Sequence, residues 1–127
     1  MEMGKISKLA VVETDRIGSN VTIAEFSVVR KGVQLGDNVV IHPHVVIEPD
    51  VTIGNGCEIF PGTYIGKEPK GAGATARNLE FVRQVTIGAN SCVGPNAVIY
   101  CDVQIGESVL VGDCASIREK AASDRKQ

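Results

Sequence analysis

Tryptophan is absent from this 127-residue chain, aromatics make up 4% of it, and leucine occurs four times against thirty valines and isoleucines. A conventional globular core leans on leucine and aromatic rings, so a core of that kind is excluded. β-Branched side chains suit pleated strands and not helix interiors. A basic excess is also missing: 13 Lys and Arg stand against 15 Asp and Glu, a net charge of −2. That removes the electrostatic drive toward nucleic acid or an anionic membrane surface. No apolar run reaches membrane-spanning length, and the opening MEMGKISKLAVVE has neither the apolar stretch nor the cleavage pattern of a secretory signal. The expectation is a soluble, cytoplasmic chain of one domain. Its four cysteines, Cys57, Cys92, Cys101 and Cys114, show no C-x-x-C spacing, and there are only two histidines. Neither a disulfide framework nor a metal site is indicated, and the thiols read as reduced packing residues.

What is present is a repeat. Stepping by six from Val11 meets Val11, Ile17, Ile23, Val29, Leu35, Ile41, Ile47, Ile53, Ile59 and Ile65; after Lys67 to Gln84 it resumes as Ile87, Val93, Ile99, Ile105, Val111 and Ile117. Four residues after each aliphatic stands a small residue or Val, from Val21 and Ser27 to Val109 and Ala115, with Asp15 the exception. A period of six fits neither an α-helix nor plain strand alternation and needs a turn in every unit. Pro43, Pro49, Pro61 and Pro95 all fall two residues after an aliphatic, and Gly or Asn flanks the same point elsewhere. Each residue type favours a turn there, Pro by its fixed φ and Gly and Asn by tolerating positive φ.

Strand and corner in alternation close naturally as a triangular coil of three hexads. The residue after the aliphatic tests this larger period: Gly18, Gly36, Gly54, Gly88 and Gly106 fall on one edge if 67–84 contains a 16-residue insertion. The second edge then carries Ala24, His42, Phe60, Gly94 and Gly112, and the third Arg30, Glu48, Gly66, Tyr100 and Arg118. Neighbouring coils separate by ~4.8 Å, so about five coils stand roughly 25 Å tall. Such a column has a dry interior, and chemistry must sit on its faces, in its loop, or between copies.

The units IGSNVT, LGDNVV, IGNGCE, IGANSC, VGPNAV, IGESVL and VGDCAS, with the opening ISKLAVVETDRIG, strongly resemble the hexapeptide-repeat acyltransferases. The resemblance covers about residues 6 to 118. It implies an all-β fold, a left-handed parallel β-helix of about five triangular coils in residues 1–118 with an inserted loop at 67–84. Residues 119–127 form a polar tail, read as a short lid helix or disordered segment, or as the mark of a shortened family member. The hand comes from the resemblance, since parallel crossovers are ordinarily right-handed.

The resemblance further implies acyl transfer, most simply of acetyl from acetyl-CoA to an amine or hydroxyl of a nucleotide-linked sugar in surface-polysaccharide synthesis. It implies a homotrimer with donor and acceptor meeting between two prisms. Such transfer needs a base near neutrality, and an imidazole is the usual one. His44 stands at the hexad position where several similar acetyltransferases hold their catalytic His, and His42 lies two residues before it. Many relatives instead place that His after the inserted loop; the matching segment here, VGPNAVI, has Asn96. The phase puts His44 and Asn96 on one edge, two coils apart, where an amide could position the acceptor or a thioester carbonyl. Glu25, Glu48, Asp50, Asp102 and Glu107 are outward carboxylates able to orient an imidazole, and spacing singles out none. Within the inserted segment, Lys67, Lys70, Arg77 and Arg83 are the candidate contacts to the CoA phosphates. Two alternatives stay open: a non-catalytic scaffold, and a lyase with three imidazoles around zinc, which two histidines two residues apart fit poorly.

Overall fold

The computed structural model describes residues 4–70 and 81–119 and the backbone of 122–123. Each hexad forms a short strand followed by a corner, and the strands stack into three parallel sheets. Sheet A holds β2 (Thr22–Ile23), β5 (Val40–Ile41), β8 (Glu58–Ile59), β11 (Cys92–Val93) and β14 (Leu110–Val111). Sheet B holds β1 (Val11–Val12), β3 (Val28–Val29), β6 (Val46–Ile47), β9 (Tyr64–Lys67), β12 (Val98–Tyr100) and β15 (Ser116–Ile117). Sheet C holds β4 (Gln34–Leu35), β7 (Val51–Ile53), β10 (Val85–Ile87), β13 (Val103–Ile105) and β16 (Ala122–Ser123). The chain is therefore a parallel β-helix of triangular section, with no helix among the described residues.

Register confirms the longer period. Val28 pairs with Val46 and Val46 with Tyr64, one coil of eighteen residues apart, while Val51 pairs with Val85 because a sixteen-residue insertion adds to that coil. The inward aliphatics, including Ile23, Ile41, Ile47, Ile53, Ile59, Ile65, Ile87 and Ile99, are fully buried and form one continuous core. Ser27, Thr63 and Ser91 also point inward, and each hydroxyl donates to a backbone carbonyl, of His42, Phe60 and Gly106 in turn. That pairing removes the cost of burying them. From Ile17 to Val111, except where the loop departs after Ile65, the third residue of the corner sits at positive φ, as at Asn20, His44, Asp50, Asn96 and Ser108, which turns the chain sharply from one sheet to the next.

Three particulars depart from the sequence-based expectation. In the first coil Val12, not Val11, aligns with Val29. Val11 faces outward at 49% exposure; the hexad between Val12 and Ile17 is one residue short, and a one-residue shift reverses the face of a strand residue. On the third edge Tyr100 pairs with Lys67 and not with Gly66, because Gly66, at φ 95°, forms a bulge where the chain leaves for the loop. Among the cysteines, Cys57 and Cys101 are buried packing residues, whereas Cys114 is exposed at a corner with φ 60°. Burial pushes the Cys57 and Cys101 thiols above their ordinary range.

Candidate functional site

Two features stand on opposite edges of sheet B. The first is the corner between sheets A and B. Here Pro43, Pro61 and Pro95 occupy successive coils and limit the corner's freedom. The third-residue column at this corner runs Phe26, His44, Gly62, Asn96 and Cys114, all at positive φ. Ser27 ties the corner to the core, donating to the His42 carbonyl at 2.7 Å and accepting from the Val45 amide at 3.4 Å.

His42 leaves this corner toward sheet A. Its Nε2 lies 2.7 Å from Oε2 of Glu58, the outward residue of β8 one coil further on. The imidazole stacks on Phe60, with centroids 4.8 Å apart and planes 13° apart. An ionised Glu58 can only accept, so a neutral imidazole beside it donates from Nε2 and keeps its lone pair on Nδ1, which has no hydrogen-bond partner among the described residues. That is the arrangement a general base needs. His44 makes no such pair; its ring stacks on Phe26, centroids 5.3 Å apart and planes 24° apart. Asn96 shares the His44 column two coils on, roughly 10 Å away. Gly62 stands between them, and the Asn96 amide oxygen fills the space that a Gly62 side chain would take.

None of Glu25, Glu48, Asp50, Asp102 or Glu107 orients an imidazole; Glu58 does. Its signal was available as arithmetic, since Glu58 follows Val40 by one coil on the outer face of sheet A and so lies beside the corner that begins with His42. Phe26 and Phe60 were legible by the same count.

The second feature is a cleft of about 510 Å³ between sheets B and C, where the inserted loop departs and returns. The loop's feet are pinned by consecutive amides of the next coil: Cys101 N–H donates to the Lys67 carbonyl and Asp102 N–H to that of Gln84. Lys67, Lys70 and Arg83 line the cleft together, joined by Lys31, which sequence reasoning missed because it belongs to an earlier coil. Arg77 lies outside the described residues. Arg83 pairs with Glu68 at 3.0 Å and Lys67 sits over the Tyr100 ring at 5.2 Å, while Lys31 and Lys70 form no ion pair among the described residues, although Glu48 and Asp50 line the same cleft. The two features are separated by one side of the triangle, roughly 15–20 Å for a hexad of extended chain. Among the described residues no three of His, Cys, Asp and Glu converge on a common point.

Tyr64 lines the same cleft and donates its hydroxyl to Oε2 of Glu48 at 2.6 Å. That bond first, and burial second, hold its phenol up to about 12. Folding thus favours the protonated ring, so this stabilisation is complete below the ordinary value of 10.0 and is lost as pH rises through about 12. Glu48→Gln returns the Tyr64 transition toward its ordinary value in an ultraviolet phenolate titration; a titration identical to the unsubstituted chain would refute the pairing.

With this geometry in view, the likenesses to known proteins acquire meaning. The sequence matches the bacterial transferase hexapeptide (six repeats) family over residues 16–49, 32–67 and 84–119. Bifunctional protein GlmU of Synechococcus elongatus is 34% identical over 93 residues, which cover 73% of this chain and 20% of that protein, and GlmU of a second Synechococcus strain matches equally. The solved UDP-N-acetylglucosamine acyltransferase of Francisella novicida superposes with a TM-score of 0.80 at 26% identity, covering 94% of this chain and 45% of that one. This is a β-helical protein of the hexapeptide-repeat class. The chain belongs to the bacterial transferase hexapeptide family, and it spans a fifth of the length of the curated relatives it matches.

Proposed function

We propose that this chain is an acyltransferase that moves an acyl group, most simply acetyl from acetyl-CoA, to a hydroxyl or amine of a nucleotide-linked sugar, with His42 as the general base. The observation that carries the reading is the 2.7 Å His42–Glu58 pair at a proline-braced corner. In the reaction, Nδ1 of His42 takes the proton of the acceptor group, whose lone pair attacks the thioester carbonyl. The C–S bond then breaks, and the departing thiolate receives the proton from the imidazolium. Asn96 and His44 position the acceptor, while Lys67, Lys70 and Arg83, with Arg77 from the loop and Lys31 from the earlier coil, receive the phosphates of the CoA arm. The likeness to a UDP-N-acetylglucosamine acyltransferase supports the acceptor class.

Base and phosphate cleft lie on opposite edges of one sheet, so a single prism does not close them into one site. Three copies with sheet B facing a common axis bring the A–B corner of each against the B–C corner of the next, since cyclic packing is head-to-tail. Supporting this orientation, Val28, Val46, Tyr64 and Val98 form a ladder along the outer face of sheet B, while sheet C presents Gln34, Thr52, Thr86 and Gln104. The purified chain mixed with acetyl-CoA and a panel of amino-sugar nucleotides releases free thiol, measured with a chromogenic disulfide, and it sediments as three chains. Silence across the panel from an intact trimer would overturn the enzymatic reading; the mass of one chain would overturn the shared site.

A further inference from the structure

Phe26 is unusual in two ways that share one explanation. Its corner position holds His44, Gly62, Asn96 and Cys114 in the following coils, residues that tolerate positive φ or are small, yet Phe26 adopts φ 64°. A bulky residue in that region costs about 1–2 kcal/mol. Burial does not compensate, because Phe26 is 54% exposed. Strain of this kind, held in place by surrounding structure, concentrates where a residue contacts a ligand. The ring is backed on one side by His44, and the adjoining column of the same corner holds the His42–Phe60 stack. The corner thus carries two stacked ring pairs, Phe26 on His44 and His42 on Phe60, with Glu58 bonded to His42.

We propose that the exposed face of Phe26, backed by His44, is a stacking platform for the nucleobase of a bound nucleotide. Aromatic faces hold bases of any sequence by stacking, and the stacked pair of Phe26 and His44 extends by one further layer when a base is added. The occupant is the base of the sugar nucleotide; the adenine of the acyl donor shares this chemistry, and the two are separated by the test. This inference rests on the reading of the corner as a nucleotide-sugar site, and its test needs no turnover.

Binding of uridine monophosphate, of adenosine bisphosphate and of ribose phosphate is measured by calorimetry on the full chain and on Phe26→Leu and Phe26→Gly. Glycine suits the corner's φ, and leucine keeps apolar bulk without a ring face, so at least one variant retains the fold. Uridine monophosphate affinity falls about 5- to 150-fold in both variants, the worth of one stacked base, while ribose phosphate binding stays unchanged. A fall confined to adenosine bisphosphate assigns the platform to the donor's base and supports stacking equally. Unchanged nucleotide affinity in a folded variant, or no nucleotide binding by the unsubstituted chain, overturns the proposal. Loss of nucleotide binding in a chain that transfers no acyl group sustains the platform and removes the enzymatic reading; an undiminished KM in active variants does the reverse.

Discussion

His42→Ala lowers kcat/KM for acyl transfer by about 10²- to 10⁴-fold, the range set by loss of a positioned proton acceptor. The variant keeps its melting temperature, because the imidazole is a surface group and its backbone carbonyl still accepts from Ser27. Added imidazole restores part of the rate, since Ala leaves space above Phe60. Glu58→Gln lowers the rate by about 10- to 100-fold: the amide keeps the hydrogen-bonding distance but supplies neither the charge nor a single fixed tautomer. His44→Asn is the decisive companion. Asparagine is at home at positive φ, as Asn96 is in the same column, so the corner survives. A rate loss in His44→Asn as large as that in His42→Ala would move the base from His42 to His44 and remove the role given to Glu58.

A large stability effect is expected at Gly88, a glycine whose φ is not positive. A Cβ on Gly88 would stand 2.5 Å from the Gly106 carbonyl carbon and 2.6 Å from the Glu107 amide nitrogen. Both are backbone atoms of the next coil, and they can retreat only by opening the spacing that the interstrand hydrogen bonds set, among them Gly88 N–H to the Ile105 carbonyl at 2.7 Å. Overpacking against side chains costs about 1–3 kcal/mol; against backbone, Gly88→Ala costs ~3 kcal/mol or more, a large share of a small domain's stability. Gly112 occupies an equivalent place after an inward aliphatic, but nothing lies within 4 Å of a Cβ built there, so Gly112→Ala stays within about 0.5 kcal/mol of the unsubstituted chain. Urea denaturation compares the two, and equal midpoints would contradict the assigned coil spacing.

Much of the fold was legible because the burial pattern of a β-helix is written directly in the chain. One inward position of each hexad needs an aliphatic, the other a small residue or Val, and every corner a residue fit to turn, so the sixfold spacing and its eighteenfold closure followed from the identity of residues such as Ile41, Pro43 and Val45. The sixteen-residue insertion was equally legible, since Gly54 and Gly88 keep phase only if it is removed. The first coil was not, for a simple reason: Val11 and Val12 are consecutive and chemically alike, so hydrophobicity cannot say which of them points inward.

The candidate site was legible in part. Both histidines and Asn96 stand where counting placed them, and Lys67, Lys70 and Arg83 share a cleft at the loop's base. Counting alone could not separate two outward residues at one corner, and the family resemblance put His44 ahead of His42 as the base.

By itself, then, the amino-acid order determined the period, the inward set, the three edges and the coil at which the loop departs, because each is dictated by which side chains must avoid water. The tertiary structure alone decided which imidazole acquires a carboxylate, that Gly66 bulges, and that Lys31 joins the cations at the loop's base in one cleft. Those outcomes depend on side-chain directions between neighbouring coils, where Glu58 reaches His42 while Phe26 covers His44. Outward-facing residues carry no burial constraint, so the period shows which of them are neighbours but not which of them pair.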